Sequence, residues 1–307
     1  MLMNPNTSEE KEISREAKLN KMRLEFRKLE TFWIIMCAVS LIGTFVYLFF
    51  VYKFKILPGS PLRYVFMVLL LVLVFFCIYM LPVLLKKNKK YKAYSLAYKK
   101  AYVKPILEET FGAGSYSEEE KVSIKEITEF SMLKKAKSAL ANDCVSGVYK
   151  DIPFLRYDLT LSYDKRSATT NCVLIAMEYR TKLKKELQII QDTFKIGGAE
   201  YEQPEGYCKI LSGRDDFDKH FSVYCENQKE GEDFIRDIRY KDVEKLTKRI
   251  PTAIFFDQKK VYLVIKRDRD VMEAPIYRPV KEERSIKEAG EEVELIKSWI
   301  SLIKSWI

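Results

Sequence analysis

The chain has 307 residues, a formal net charge of +10, one histidine and six cysteines. Dividing the charge along the chain decides what it means. Residues 1–30 carry +1, residues 53–63 carry +3 and residues 86–104 carry +8, which leaves residues 105–307 at −2. A nucleic-acid-binding domain carries a basic surface of its own, so nucleic acid is excluded as the expected partner.

Residues 1–30 are polar and read as a cytoplasmic N-terminal tail. From Thr31 to Lys104 the sequence contains no Asp or Glu, and two apolar stretches lie inside that interval, residues 32–52 and 64–85. Each has the length of a membrane-crossing helix, which needs roughly 20 residues at about 1.5 Å rise per residue. The first begins too late, and is too long, for a cleavable signal sequence. Between the two, KFKILPGSPLR contains Pro58, Gly59 and Pro61, which break a helix and reverse the chain. Residues 31–85 therefore read as a transmembrane helical hairpin. Seven Lys and Arg precede residue 31, three lie in the loop and eight fall in residues 86–104. That bias puts both termini in the cytoplasm of a multi-pass cell-membrane protein. No ionisable residue interrupts either span, which argues against ion or proton translocation through the hairpin.

Residues 86–111 read as a basic juxtamembrane helix. Lys86 through Lys104 are placed to meet anionic lipid headgroups, and Tyr91, Tyr94, Tyr98 and Tyr102 recur at helical spacing, facing lipid or packing on the following domain. Residues 112–280 read as one α+β domain with a mixed or antiparallel sheet. Ser117 followed by Glu118, Glu119 and Glu120 resembles a capping box opening a helix through Val122, Ile127 and Phe130. In residues 155–164, Leu155, Tyr157, Leu159, Leu161 and Tyr163 alternate with Arg156, Asp158, Thr160, Ser162 and Asp164, a strand with one buried and one wet face. Residues 172–179 suit a strand covered on both faces, which residues 186–190 extend or pair with. Residues 220–226 alternate as another strand, residues 229–250 form a helix in two pieces stopped by Pro251, and residues 252–256 and 261–266 flank the hairpin turn DQKK. Segregated strands and helices imply α+β rather than repeating βαβ units.

The order DCVSGVYKDIPF, FDKHFSVYCEN, DVEKLTKRI and AIFFDQKKVYLVI, with two apolar spans ahead of it, resembles the bacterial membrane-protein family catalogued as domain of unknown function 3137, over about residues 30–280. The resemblance implies a membrane location and no established activity, and it supplies no catalytic residues. Genes of that family often neighbour those of LemA-type membrane proteins, which makes such a protein the expected partner by family association only.

Chemical candidates are few. His220 sits where no Ser, Cys or carboxylate is fixed beside it by local spacing, so it reads as a surface or edge histidine rather than a general base. Asp215, Asp216 and Asp218 suggest a cation site but lack the glycine and distal glutamate of a calcium loop. Gly112-Ala113-Gly114 and Gly197-Gly198 lack the following Lys and Ser or Thr of a phosphate loop. Cys144, Cys172, Cys208 and Cys225 have no metal-ligand spacing and, like Cys37 and Cys77, read as free thiols. No catalytic, cofactor or metal residue is therefore expected, and no cofactor.

The end of the chain, LIKSWIS followed by LIKSWI, is a verbatim repeat. Residues 281–307 read as a charged, solvated helix or linker to residue 294 and then an amphipathic helix with a Leu, Ile and Trp stripe. That helix packs on the domain or a partner, or lies on the membrane surface. The function that follows is an interaction or scaffolding module at the inner membrane face. A membrane-anchored sensor or carrier of an apolar or lipid ligand is the alternative, and an enzyme with a dispersed site the third.

Overall fold

The structure is a computed structural model and describes residues 5–53, 65, 68–69, 72, 88–118, 136–163, 169–179, 183–196, 199–200, 203–238, 240–247, 250–267 and 272–306. The expected second span, the capping box with its helix to Phe130, Cys77 and Gly197-Gly198 lie essentially outside these residues. The chain divides into two compact units, Met1–Ala101 with Glu273–Ser285, and Tyr102–Met272 with Ile286–Ile307.

The first unit is built on α1 (Pro5–Lys53), one continuous helix of 49 residues. The segment read as a tail is therefore helical and runs without a break into the first apolar stretch. Its lower half packs: Leu19, Arg23 and Phe26 are buried. Their partners are α2 (Lys89–Tyr98) and the segment 273–280. Asn88 caps α2 by accepting a hydrogen bond from the Lys90 amide at 2.9 Å. Tyr91, Tyr94 and Tyr98 are buried, with Phe26 and Tyr91 rings 5.2 Å apart. Tyr91 donates to the Glu273 carboxylate and Tyr94 to the Pro275 carbonyl at 2.7 Å. Asn20 makes a reciprocal pair with the backbone of Val280, accepting at 2.9 Å and donating at 3.1 Å. The tyrosine stripe thus belongs to a protein core, while Lys89, Lys90, Lys92 and Lys100 are exposed on the other side of the helix.

After α2 the helix passes through a π-helical segment, Lys99–Val103, into α3 (Lys104–Phe111), which ends at Gly112 with φ of 104°. The second unit is a sheet covered on both faces. Its strands are β1 (Tyr116–Ser117), β2 (Ser138–Tyr149), β3 (Ile152–Ser162), β4 (Thr170–Glu178), β5 (Leu187–Gln191), β8 (Cys208–Ile210), β9 (Phe221–Cys225), β10 (Thr252–Phe256) and β11 (Lys260–Lys266). Two short strands, β6 (Lys195–Ile196) and β7 (Ala199–Glu200), pair apart from it. Helices α4 (Asp215–Asp218), α5 (Gln228–Asp237), α6 (Tyr240–Thr247) and α7 (Glu282–Lys304) complete the described elements. Every pairing is antiparallel and the order is β1-β2-β3-β4-β11-β10-β5-β9-β8. The expected α+β class and antiparallel sheet are present. The sequence reading let residues 186–190 extend or pair with β4; instead the β10–β11 hairpin stands between β4 and β5.

Register aligns side chains in rows, because residues directly opposite on neighbouring strands share a face. One row reads Tyr116, Val145, Arg156, Ile175, Leu263, Ile254, Ile189, Val223, Ile210 across all nine strands. All nine are buried, and Arg156 is the sole charged member. The other face holds Tyr157, Leu159, Leu161, Cys172, Leu174, Val264, Ala253, Phe255 and Ile190. The one-wet-face reading of residues 155–164 is thereby corrected: Leu155 is 38% exposed and Arg156 fully buried. Alternation in this strand reports two different coverings, one for each face, rather than protein against water.

Two backbone devices shape β2 and β3. Lys150 and Asp151, with φ of 50° and 64°, form the two-residue turn between them, and positive φ at both central positions suits the right-handed twist of a hairpin. A bulge between Asn142 and Val145 puts Asp143 at φ 50°. At the other end of the sheet, Gly231 lets α5 lie against β8 and β9: a Cβ there would come within 2.9 Å of both Cys225 Cβ and Ile210 Cγ1. Gly231→Ala should therefore lower the unfolding free energy of the full chain by about 1–3 kcal/mol. Gly290→Ala, on α7 with open space around it, should raise it by about 0.5–1 kcal/mol; denaturant titration in detergent reads both.

Candidate functional site

The strongest concentration of polar chemistry among the described residues is internal. It is centred on Arg156, which β3 aims at the face covered by α7. The bulge in β2 turns the Asp143 carbonyl toward it, as bulges re-aim groups near special sites. α7 delivers Glu292 because Ser285, Ala289, Glu292, Ile296, Trp299, Ile303 and Trp306 repeat at alternating spacings of four and three, one stripe of the helix, and all are buried. Trp306 closes this contact against Phe256, ring centroids 6.0 Å apart, and Lys304 donates to the Lys150 carbonyl at 2.6 Å.

A guanidinium has five N–H donors in a fixed fork, and here each has a partner. Nε donates to Glu292 Oε1 at 3.2 Å. One terminal nitrogen donates to the Asp143 carbonyl at 3.1 Å and Asp158 Oδ2 at 2.7 Å, the other to Asp158 Oδ1 at 2.9 Å and Glu292 Oε1 at 2.7 Å. Arg267 holds the second Glu292 oxygen at 3.1 Å. Tyr116 donates to the Asp143 carboxylate. Burial works against the Arg156 charge, but Asp158 and Glu292 outweigh it and keep it charged. Asp158 is pushed up to about 6, chiefly by burial, with Arg156 pulling the other way and Glu292 and Asp143 adding to the rise.

Such a cluster can fasten α7 to the sheet; it has no donor left on Arg156 for a phosphate or carboxylate ligand. The sequence pattern puts Arg156 and Asp158 on a wet face and makes residues 281–294 a solvated helix or linker. The wet face is corrected at Arg156, which is fully buried; the helix option holds, since α7 is one helix from Glu282, but it is not solvated all round, because its buried stripe extends back past Glu292. The readable signal was the four-three spacing continued upstream of Ile296, and opposite charges two apart on one strand face.

The other candidates are not gathered into a site. His220 is exposed just before β9, its carbonyl accepting from the Asp192 amide at 2.9 Å. Asp215, Asp216 and Asp218 lie in α4, where Asp218 accepts from the Ser212 amide at 3.0 Å. Among the described residues no group of three or more His, Cys, Asp or Glu is arranged to hold a metal. Gly112 and Gly114 form the turn after α3, with the Gly114 amide donating to Glu108 at 2.9 Å. Cys37, Cys144, Cys172, Cys208 and Cys225 are not joined in disulfides.

The surface gives a different signal. Within the described residues one helical stretch, Glu12–Val46, is long and apolar enough to cross a membrane. Beyond Glu30 its large apolar side chains, among them Phe32, Trp33, Ile35, Val39, Ile42 and Phe45, are exposed.

The family model described as a protein of unknown function (DUF3137) matches residues 172–304. The match runs from β4 to the end of α7, so it takes in the C-terminal helix and not the apolar N-terminal region. Among solved structures, the mycobacterial trehalose monomycolate transport factor A, TtfA, is similar with a TM-score of 0.38 at 9% identity, covering 64% of this chain and 94% of that one. No curated protein matches the chain.

Two outcomes test the cluster. Arg156→Met leaves buried carboxylates uncompensated and should cost about 3–5 kcal/mol of stability, read by denaturant unfolding of the full chain. The raised Asp158 pKa means that the folded state holds a proton the unfolded state releases between pH about 4 and about 6. Stability from this group is therefore present at the acid end and lost as pH rises through about 6. The unfolding free energy of wild type relative to Asp158→Asn should fall across that window; a difference that is flat or rises with pH contradicts the assignment.

Proposed function

We propose that the protein is a membrane-anchored interaction module whose sheet domain recruits or scaffolds a protein partner at the inner membrane face. The observation that carries this reading is the change of environment along α1. The helix is protein-packed at Leu19, Arg23 and Phe26 and then, without a break in the helix, exposes an uncharged and largely apolar surface from Phe32 to Val46. In water such a surface is unfavourable, whereas a hydrocarbon layer accommodates it.

Two further features support the reading. The buried Arg156 pairs with Asp158 and Glu292, which suits a role in the fold rather than toward a substrate. Exposed Lys89, Lys90, Lys92 and Lys100 suit anionic headgroups, with each such residue contributing about 1 kcal/mol near a charged surface. The proposed topology is the two-span hairpin with both termini cytoplasmic, from the Lys and Arg bias. The C-terminal apolar stripe is not the partner surface in this account, because it is buried in the domain's own core.

Lysine cross-linking in intact membranes followed by mass spectrometry tests the function. A stoichiometric protein cross-linked to residues 136–267 is expected; recovery of the chain uncross-linked to any other protein under several gentle conditions contradicts it. Alkaline carbonate extraction tests the anchor separately. The chain should stay with the membrane pellet, and its release to the supernatant would remove the anchored reading.

A further inference from the structure

The register of the sheet brings two thiols face to face. β8 and β9 pair with Cys208 directly opposite Cys225. Opposed residues of an antiparallel pair have Cα atoms about 4.5 or 5.5 Å apart, inside the range of about 4.4–6.8 Å that a disulfide spans. Both side chains lie on the α5 face of the sheet. Gly231 of α5 faces Cys225 Cβ and also Ile210, which is two residues from Cys208 on the same strand and therefore on its face. The two thiols differ in access: Cys208 is exposed and Cys225 is buried. Both are free.

We propose that Cys208 and Cys225 form a reversible redox modification site, closing a cross-strand disulfide that ties the edge strand β8 to β9. The co-reactant is a low-molecular-weight disulfide. Cys208, as thiolate, attacks one sulfur of that disulfide and expels one thiolate, leaving a mixed disulfide on the exposed side chain. Cys225 then gives up its proton, attacks the Cys208 sulfur and expels the second thiolate. One S–S bond forms in the protein and one breaks in the reagent. The two cysteines are oxidised, and the reagent leaves as two thiols carrying the two protons.

The order of attack follows from the surroundings. The exposed thiol meets the reagent, and the buried one can reach only its neighbour. Burial holds the Cys225 thiol above its ordinary value, with the Asn227 backbone N–H working in the opposite direction, so Cys225 is a poor first nucleophile and a resolving one once Cys208 has reacted. Cys144 and Cys172 are buried away from this pair, on β2 and β4, so neither competes with Cys225 for the Cys208 sulfur.

The test uses the full chain in detergent, first reduced with dithiothreitol and then incubated with oxidised glutathione, followed by differential alkylation and peptide mapping. A Cys208–Cys225 linked peptide, two fewer alkylatable thiols and reversal by dithiothreitol are expected. Cys225→Ala should instead accumulate glutathione on Cys208. If that variant does not fold, Cys208→Ser serves, leaving Cys225 unmodified and alkylatable only after denaturation. Stable glutathione on Cys208 of the wild type beside a free Cys225, a disulfide joining two chains, or no reaction at either thiol would overturn the proposal.

Discussion

A guanidinium buried in the middle of an apolar row is the constraint on which the second unit depends. Taking a charge out of water costs several kcal/mol even after relaxation, so Arg156 can stay at that position only if every donor is answered. Three separate parts of the chain supply the answer: the bulged β2 through the Asp143 carbonyl, β3 through Asp158 and α7 through Glu292, which Arg267, the residue after β11, holds in place. None of these can shift far without leaving a charge unpaired. The net contribution of such a cluster to stability is small beside the cost of breaking it, and its clearest effect is on uniqueness. Only one seating of α7 brings Glu292 onto the guanidinium.

That seating explains other features. With Glu292 fixed, the four-three stripe of α7 carries Ile296, Trp299, Ile303 and Trp306 down over the sheet to Phe256. The verbatim repeat at the end of the chain therefore acts as two successive stretches of about two turns each, facing the core along α7 and its end. Its heptad identity places Trp299 and Trp306 on the same side, where both are buried.

Much of this was legible in the sequence where a local rule decides the matter. Pro251 ends the helical region, DQKK joins β10 to β11, and residues 172–179 have the uniform apolarity of a strand covered on both sides. The apolar length of residues 32–52 and the exposed face of α1 agree for the same reason, since a helix of that composition has no polar side to bury. What was not legible depended on distant partners. Arg156 looks like a wet-face residue because nothing near it in sequence announces a carboxylate 136 positions away. The tyrosines of α2 suited lipid or domain equally until α1 and residues 273–280 supplied the surface that buries them. The pairing of Cys208 with Cys225 needs the strand register, which spacing alone does not contain.

In the second unit Arg156 pairs with Asp158 and Glu292 and holds α7 in place, while the longest run of exposed apolar side chains among the described residues is on α1 and suits a bilayer. The proposed recruiting role needs the second unit to keep one shape, and that shape depends on α7 staying seated. Native-state hydrogen exchange on the full chain, wild type against Glu292→Gln, tests that most directly. The α7 amides should lose protection while those of β4, β10 and β11 keep theirs; unchanged protection of α7, or an equal loss through helix and sheet, would contradict the central role given to Arg156.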